Sequence, residues 1–413
     1  MKNSDNNIKE LVLMNVQGED RPGVTASLSK VLAEHKVEIL DIGQSVIHND
    51  LGLGILFGLT AQSDSSPVLK DLLFKAYELG MNVKFTPIDP QHYEDWVSQQ
   101  GKQRHILTLM SRSLSGEQVN LVAQLIRDQG LNIDGISRLS GRRSLKGDES
   151  SKVLSVVEFS VRGVPSDEAA LKQSIIDISH EAGVDIAYQE DNIYRRSRRL
   201  VCFDMDSTLI QTEVIDELAR EAGVYDQVSA ITESAMRGEI DFKESFKRRI
   251  SLLKGLDVKV MRQIAERLPL TEGAERLFKT LKKYGYKTAI LSGGFNFFGN
   301  YLKSRLDIDY VFANELEVKD GHLTGRHVGD IVDGAKKAEM LKLLAFKEEI
   351  HLEQVIAVGD GANDLPMLEL AGLGIAFHAK PKVKATAQHA ISETGLDTIL
   401  YLIGFRDREI DRD

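Results

Sequence analysis

Aspartates and a serine that suit phosphoryl chemistry follow directly on three apolar runs of the chain. Leu200-Val-Cys-Phe203 leads into Asp204-Met-Asp206-Ser-Thr208, Thr288-Ala-Ile-Leu291 into Ser292-Gly-Gly294, and Val355-Ile-Ala-Val358 into Gly359-Asp-Gly-Ala-Asn-Asp364. A phosphate monoester repels nucleophiles by its own charge, so a site for its cleavage must combine a nucleophile with cations and N–H donors. Asp204 supplies a carboxylate able to form a mixed anhydride with a phosphoryl group and to be regenerated by water. Asp206, two residues on, has the type and spacing to protonate a leaving alkoxide and then deprotonate that water. Asp360 adds a carboxylate for a hard cation such as Mg²⁺, which takes a few oxygen ligands and keeps several waters. Ser292, the Gly293 backbone N–H and Lys336, in the helix start Asp333-Gly-Ala-Lys336, would hold the remaining phosphate oxygens. Taken singly, Asp-x-Asp is often a helix cap, Gly-Gly a tight turn and such a lysine solvated. Their succession at three strand ends makes the catalytic reading the stronger one.

The elements that must position these residues follow from periodicity. From Leu200 onward short apolar runs alternate with helical patterns of ten or more residues, which predicts an α/β doubly wound parallel sheet with ligands beyond the carboxyl ends of its strands. The stretch from about 214 to 269 is helical in pattern and interrupts this alternation after the first strand, as a cap or lid would. Before residue 196 the pattern differs. Leu11-Val-Leu-Met14 and Leu107-Thr-Leu-Met110 stand 96 residues apart, and each opens a strand, helix, strand succession. Two βαββαβ units, α+β and ferredoxin-like, are expected at residues 1–95 and 96–195, followed by a third domain at 196–413. Pro87, Pro90 and the polar Ser98 to Gln103 mark the first junction, and Ser140 to Lys152 reads as a loop or hairpin. The basic run Tyr194 to Arg199 reads as a solvated linker.

Composition excludes several functions. With 52 Lys+Arg against 62 Asp+Glu the net charge is −10, which disfavours nucleic-acid binding through a broad basic face. No apolar run approaches the ~18 residues of a membrane helix, and the opening residues lack an export-signal pattern. The single cysteine, Cys202, fits a reducing compartment, so a cytoplasmic protein is expected.

These residues resemble the haloacid-dehalogenase-like phosphatases, and among them the phosphoserine phosphatases, over about Leu200 to Tyr401. Asp-Met-Asp-Ser-Thr stands for the family's Asp-x-Asp-x-Thr, with Ser-Gly-Gly-Phe and Gly-Asp-Gly-Ala-Asn-Asp intact. The resemblance implies hydrolysis of O-phosphoserine, the last step of serine biosynthesis, through an aspartyl-phosphate on Asp204. Asp206 would be the acid/base, and Mg²⁺ would be held by Asp204, Asp360 and the Asp206 backbone carbonyl. Ser292, Gly293, Lys336 and Asn363 would bind phosphate or fix the site, with Asp364 supporting the metal. Of Lys336 and its neighbour Lys337, which a helix turns ~100° apart, the resemblance favours Lys336. On the lid, Glu213 would take the substrate ammonium and Arg249 its carboxylate, with Phe242 packed nearby. A zwitterion wants an anion and a bidentate cation at fixed separation. The alternatives are a related phosphatase of another small phosphoester, or an amino-acid sensor with an inactive phosphatase half. The N-terminal pair resembles ACT domains, with Asp20-Arg-Pro-Gly-Val24 at the first ligand-binding turn and Ser113-Leu-Ser-Gly116 in its place in the second. This implies an amino-acid effector and a homodimer as expected partners.

Overall fold

The structure is a computed structural model, described for residues 8–60, 65–98, 101, 103–142, 146 and 154–410. It divides into two compact units, Met1–Lys102 and Gln103–Asp413. The first unit runs β1 (Ile8–Glu19), α1 (Val24–Glu34), β2 (Glu38–Ile47), β3 (Asp50–Thr60), α2 (Ser65–Glu78), β4 (Asn82–Ile88) and α3 (Pro90–Ser98). Its antiparallel sheet has the order β2-β3-β1-β4. Alternate residues of β1 and β3 face inward, and Val12, Met14, Val16, Ile55 and Phe57 meet Val24, Leu28 and Leu72 of the two helices in a self-contained core. The junction expected near residue 95 falls within α3, where Trp96 lies 5.9 Å from Tyr93 between ring centroids.

The second unit begins with the same topology. β5 (Arg104–Ser111), α4 (Gly116–Asp128), β6 (Asn132–Arg138), β7 (Ser155–Arg162), α5 (Glu168–Ala182) and β8 (Asp185–Glu190) form a sheet of order β6-β7-β5-β8, which bears out the internal repeat. Most of the loop expected from Ser140 to Lys152, and part of the Ser98 to Gln103 stretch, lie outside the described residues. The remaining elements are α6 (Ile193–Arg196), β9 (Leu200–Phe203), α7 (Val214–Glu221), α8 (Tyr225–Met236), α9 (Phe242–Ser251), α10 (Val258–Arg267), α11 (Ala274–Lys283), β10 (Lys287–Phe295), α12 (Asn296–Leu306), β11 (Tyr310–Lys319), β12 (His322–Val328), α13 (Gly334–Lys347), β13 (Val355–Gly359), α14 (Leu365–Leu370), β14 (Leu373–Phe377), α15 (Pro381–Thr386), β15 (His389–Ile391) and α16 (Ile399–Leu402).

Strands β9 to β15 form a seven-stranded sheet of order β12-β11-β10-β9-β13-β14-β15, parallel except for the edge strand β12. β9 lies in the middle, and all four of its residues are buried, as a strand covered on both faces requires. Each such apolar side chain contributes roughly 1.5–3 kcal/mol through burial. Helices α7 to α10 form the expected lid. It is tied to the sheet domain by a short antiparallel bridge, Ile210 to Leu270, with Gln211 N–H donating to Pro269 at 3.0 Å and Thr271 N–H to Leu209 at 2.9 Å.

The repeated module at 103–190 shares a core with this sheet domain. Met110, Val156 and Ala187 belong to the same apolar cluster as Phe203 and Ile399. Buried Asp185, at the start of β8, accepts bonds from Ser392 N–H at 2.6 Å, Thr394 N–H at 3.1 Å and the Thr394 hydroxyl at 2.8 Å, fixing the module to the chain after β15. The basic run before β9 is solvated only in part: Arg196 and Arg199 are exposed, while the other two arginines are enclosed. Arg195 is buried in an ion pair with Glu158, and Arg198 is 5% exposed, because this stretch lies between two packed sheets. No helix among the described residues is long and apolar enough to cross a membrane.

Candidate active site

At the carboxyl end of β9 the chain turns sharply, with Leu209 and Ile210 N–H both donating to the Met205 carbonyl. Asp204 thereby sits at the strand end, 6% exposed, with Oδ1 accepting from Met205 N–H at 2.7 Å. Its other oxygen, Oδ2, lies 2.9 Å from Lys337 Nζ. Lys337 is wholly buried, and its Nζ also lies 2.6 Å from Asp364 Oδ1. Burial opposes its charge, but Asp204 and Asp364 more than compensate and hold its pKa above the ordinary lysine value.

The structure thus places Lys337, and not the expected Lys336, against Asp204. Lys336 lies one residue earlier on α13, is partly exposed, and points its Nζ at Glu339 Oε2, 3.0 Å away. Asp333 caps α13 by accepting from Lys336 N–H at 2.9 Å, which fixes the phase of the first turn. The next position, about 100° further round, is then the one that faces β9.

Asp206 accepts from Val214 N–H at 3.1 Å, at the first residue of the lid. Its Oδ2 lies 2.5 Å from where a side chain on Gly294 would begin, so only glycine lets the β10 loop come this close. Burial, then the negative charges of Glu213 and Asp204, push the Asp206 carboxyl well above the usual range. One strand end therefore carries a carboxylate paired with lysine and a carboxyl group inclined to keep its proton. That division of environments separates a nucleophile from a general acid.

Oxygens of Asp204, Asp360 and Asp364 all lie within 4.8 Å of one another. Thr208 donates to Asp360 Oδ1 at 3.1 Å. Burial, then the charges of Asp204, Asp364 and Glu213, push Asp360 up to about 8, the mark of a carboxylate cluster short of positive charge. An all-oxygen set of this kind fits a divalent cation. Asp364 has its oxygens engaged with Lys337 and with Gly361 N–H at 2.9 Å, so within this cluster it acts as a support.

Ser292 is buried, and its Oγ accepts from Gly294 N–H at 3.0 Å, leaving the hydroxyl proton free for a phosphate oxygen. Asn314, which the sequence reading missed, fixes this loop: its amide donates to the Gly293 carbonyl at 2.7 Å and its oxygen accepts from Val332 N–H at 2.8 Å. It lies on β11, where no motif marks it. Asn363 is half-buried, with its amide oxygen packed against Gly361.

The lid residues converge on the same place. The Phe242 ring tip lies 3.1 Å from where a Gly293 side chain would begin. Glu213 accepts from the Ser207 hydroxyl at 2.7 Å, and enclosure by protein, with Asp204 and Asp216 nearby, lifts its carboxyl above the ordinary range. Arg249 is half-buried; among the described residues its one side-chain hydrogen bond is to Thr232 Oγ1, at 3.5 Å, and its Nε is buried without a partner. The charges of Glu213, Asp216 and Asp206 act on it against its burial. A guanidinium so placed has the chemistry to receive a carboxylate.

The chain matches haloacid dehalogenase-like hydrolases over residues 201–369 and the ACT domain over 10–86. It is 38% identical over 404 residues to the phosphoserine phosphatase SerB2 of Mycobacterium tuberculosis, covering 98% of this chain and 95% of that one. The chain belongs to the phosphoserine phosphatase family. The phosphoserine phosphatase of Streptomyces coelicolor is also 38% identical, over 97% of this chain and 93% of its own. A solved HAD family hydrolase from Salmonella enterica serovar Typhi superposes with a TM-score of 0.62 at 33% identity, over 73% of this chain and 99% of that one. A probable phosphoserine phosphatase from Vibrio cholerae gives 0.57 at 32%, over 72% and 86%. These likenesses bear out the HAD-type fold and the ACT-like beginning expected of the chain.

Proposed function

We propose that this family member hydrolyses O-phosphoserine to serine and phosphate, the closing step of serine synthesis, in the cytoplasm. The observation that carries the reading is the convergence, around one strand end, of Asp204 held by Lys337, Asp206 bonded to Val214 N–H, and Arg249, which forms no ion pair among the described residues. Asp204 attacks phosphorus and takes the phosphoryl group, while Asp206 gives its proton to the departing seryl oxygen. Water then cleaves the aspartyl-phosphate, and Asp206 takes back a proton. Ser292, the Gly293 N–H, Lys337 and Asn363 bind phosphate oxygens or hold the loops that do. Asp204, Asp360 and the Asp206 backbone carbonyl would hold Mg²⁺, which supplies positive charge against the phosphoryl oxygens. Glu213 and Arg249 take the ammonium and carboxylate of the substrate.

The deciding experiment is phosphate release from phosphoserine, phosphothreonine and an unrelated phosphate monoester, with and without Mg²⁺, for the wild type and Arg249→Ala. Phosphoserine is expected to be preferred, with Mg²⁺ required. Arg249→Ala is expected to cost ~2–4 kcal/mol in kcat/KM on phosphoserine through loss of a charge-assisted bidentate contact, and far less on the monoester without a carboxylate. Equal losses on both, or no preference in the wild type, would favour a phosphatase of another phosphoester.

The first unit completes the proposal as an amino-acid-sensing and dimerising module. Gly23, at φ +95°, opens α1 in a conformation that favours glycine, and the edge strand β2 leaves Ile42 and Ile47 exposed. A chain starting at Gln103 is expected to keep phosphate release while becoming monomeric and losing one of two serine sites. Calorimetry and light scattering read both, and unchanged mass and serine stoichiometry would remove the module from regulation and assembly.

A further inference from the structure

Away from Asp204, a cavity of about 1220 Å³ opens between α5 and β8 on one side and α15 and β15 on the other. That is larger than a packing void and somewhat above the ~300–1,000 Å³ usual for small-molecule sites, so a small ligand would fill only part of it. Ile175 and Ile176 give it an apolar wall. Its charge is unevenly distributed. Glu168, Glu181, Glu190, Glu353 and Glu393, which line it, are all exposed, and Asp185 has its oxygens committed to Ser392, Glu393 and Thr394.

Besides Asp185, the lining holds buried Arg198, the half-buried Lys172 and His389, and Tyr188. Arg198 is 5% exposed, yet it forms no ion pair among the described residues. Its Nη1 reaches the Glu353 carbonyl at 3.3 Å, its Nη2 makes a long 3.5 Å contact with Gln189, and its Nε is buried with no partner. Among the described residues, Lys172 forms one hydrogen bond, to the Thr386 carbonyl at 3.3 Å, and no ion pair. His389 lies close enough to Arg198 and Lys172 that, after burial, their charges are what lower its pKa, to about 3. The Tyr188 hydroxyl is likewise buried without a partner among the described residues. A buried guanidinium with no carboxylate is costly unless something else supplies the negative charge.

We propose that this cavity binds a small organic anion, a carboxylate or phosphate on a short apolar body, read by Arg198 and Lys172. The ligand bridges α5 of the repeated module and the last parallel strand of the sheet domain, so its binding stabilises their docking. None of these residues belongs to the phosphoester site, and the inference stands whether or not phosphoserine is the substrate.

The test is calorimetric titration of the full-length chain with citrate, malonate and inorganic phosphate, for the wild type, Lys172→Gln, Ser179→Trp and Arg249→Ala. Lys172→Gln removes one cation at the partly exposed wall, and Ser179→Trp fills the space without touching a charge. At least one probe is expected to bind the wild type and Arg249→Ala alike, about tenfold weaker to Lys172→Gln and not measurably to Ser179→Trp, with phosphate release unchanged in both cavity variants. The carboxylate and phosphate arms distinguish which anion the site prefers. No binding of any probe, equal binding to the cavity variants, or loss in Arg249→Ala would overturn the proposal.

Discussion

Asp204→Asn is expected to lower phosphate release from phosphoserine by at least about a thousandfold, since an amide is a far poorer nucleophile than a carboxylate of the same shape. The amide keeps the Met205 N–H bond at Oδ1, and Lys337 keeps Asp364 at 2.6 Å, so the fold survives. The weaker pairing of Lys337 is offset by relief of the repulsion between Asp204 and its carboxyl neighbours Asp206, Asp360 and Asp364, so a denaturant titration should find stability within about 1 kcal/mol of the wild type. Rapid quench with radioactive phosphoserine should label the wild-type protein and leave the variant unlabelled. A variant that turned over and took up label would show that another group attacks phosphorus.

Lys337→Met is expected to be nearly as damaging, and for two separable reasons. Its ammonium is the buried cation shared by Asp204 and Asp364, and taking away one partner of a buried pair costs roughly 3–5 kcal/mol. The carboxyl groups left behind would tend to keep protons, so the nucleophile would be lost along with a cation for the phosphoryl oxygens; activity should fall at least about a hundredfold. Lys336→Met removes only the contact with Glu339 and should stay within about 0.5 kcal/mol of the wild type, with activity close to it. Thermal unfolding and phosphate release of the two variants side by side decide the matter. The reverse ranking would return the role to Lys336.

Much of the site was legible because strand ends announce themselves. Four buried residues before Asp204, four before Ser292 and four before Gly359 leave few places for a parallel strand to end, and the polar residues that follow them must then share one edge of the sheet. The lid was legible from helical periodicity between two such strands. Lys337 was not, since choosing between adjacent lysines needs the phase of α13, and Asp333 and the packing of that helix set the phase. Asn314 was also hidden: it acts through two loop backbone groups brought to it by the sheet.

By itself, the sequence determined the two repeated modules, the parallel sheet, the lid, and the identity of nearly every group near Asp204. These depend on periodicity and on residue type, which are local properties. Tertiary structure decided which lysine is buried, how the environments of Asp204 and Asp206 differ, and what becomes of the Tyr194 to Arg199 run. The physical reason is common to all three: burial and neighbouring charge are set by segments far apart in the chain. Arg195 and Arg198 read as solvent-facing until β7, β8 and the segment before β13 close around them. Their local sequence carries no mark of that enclosure.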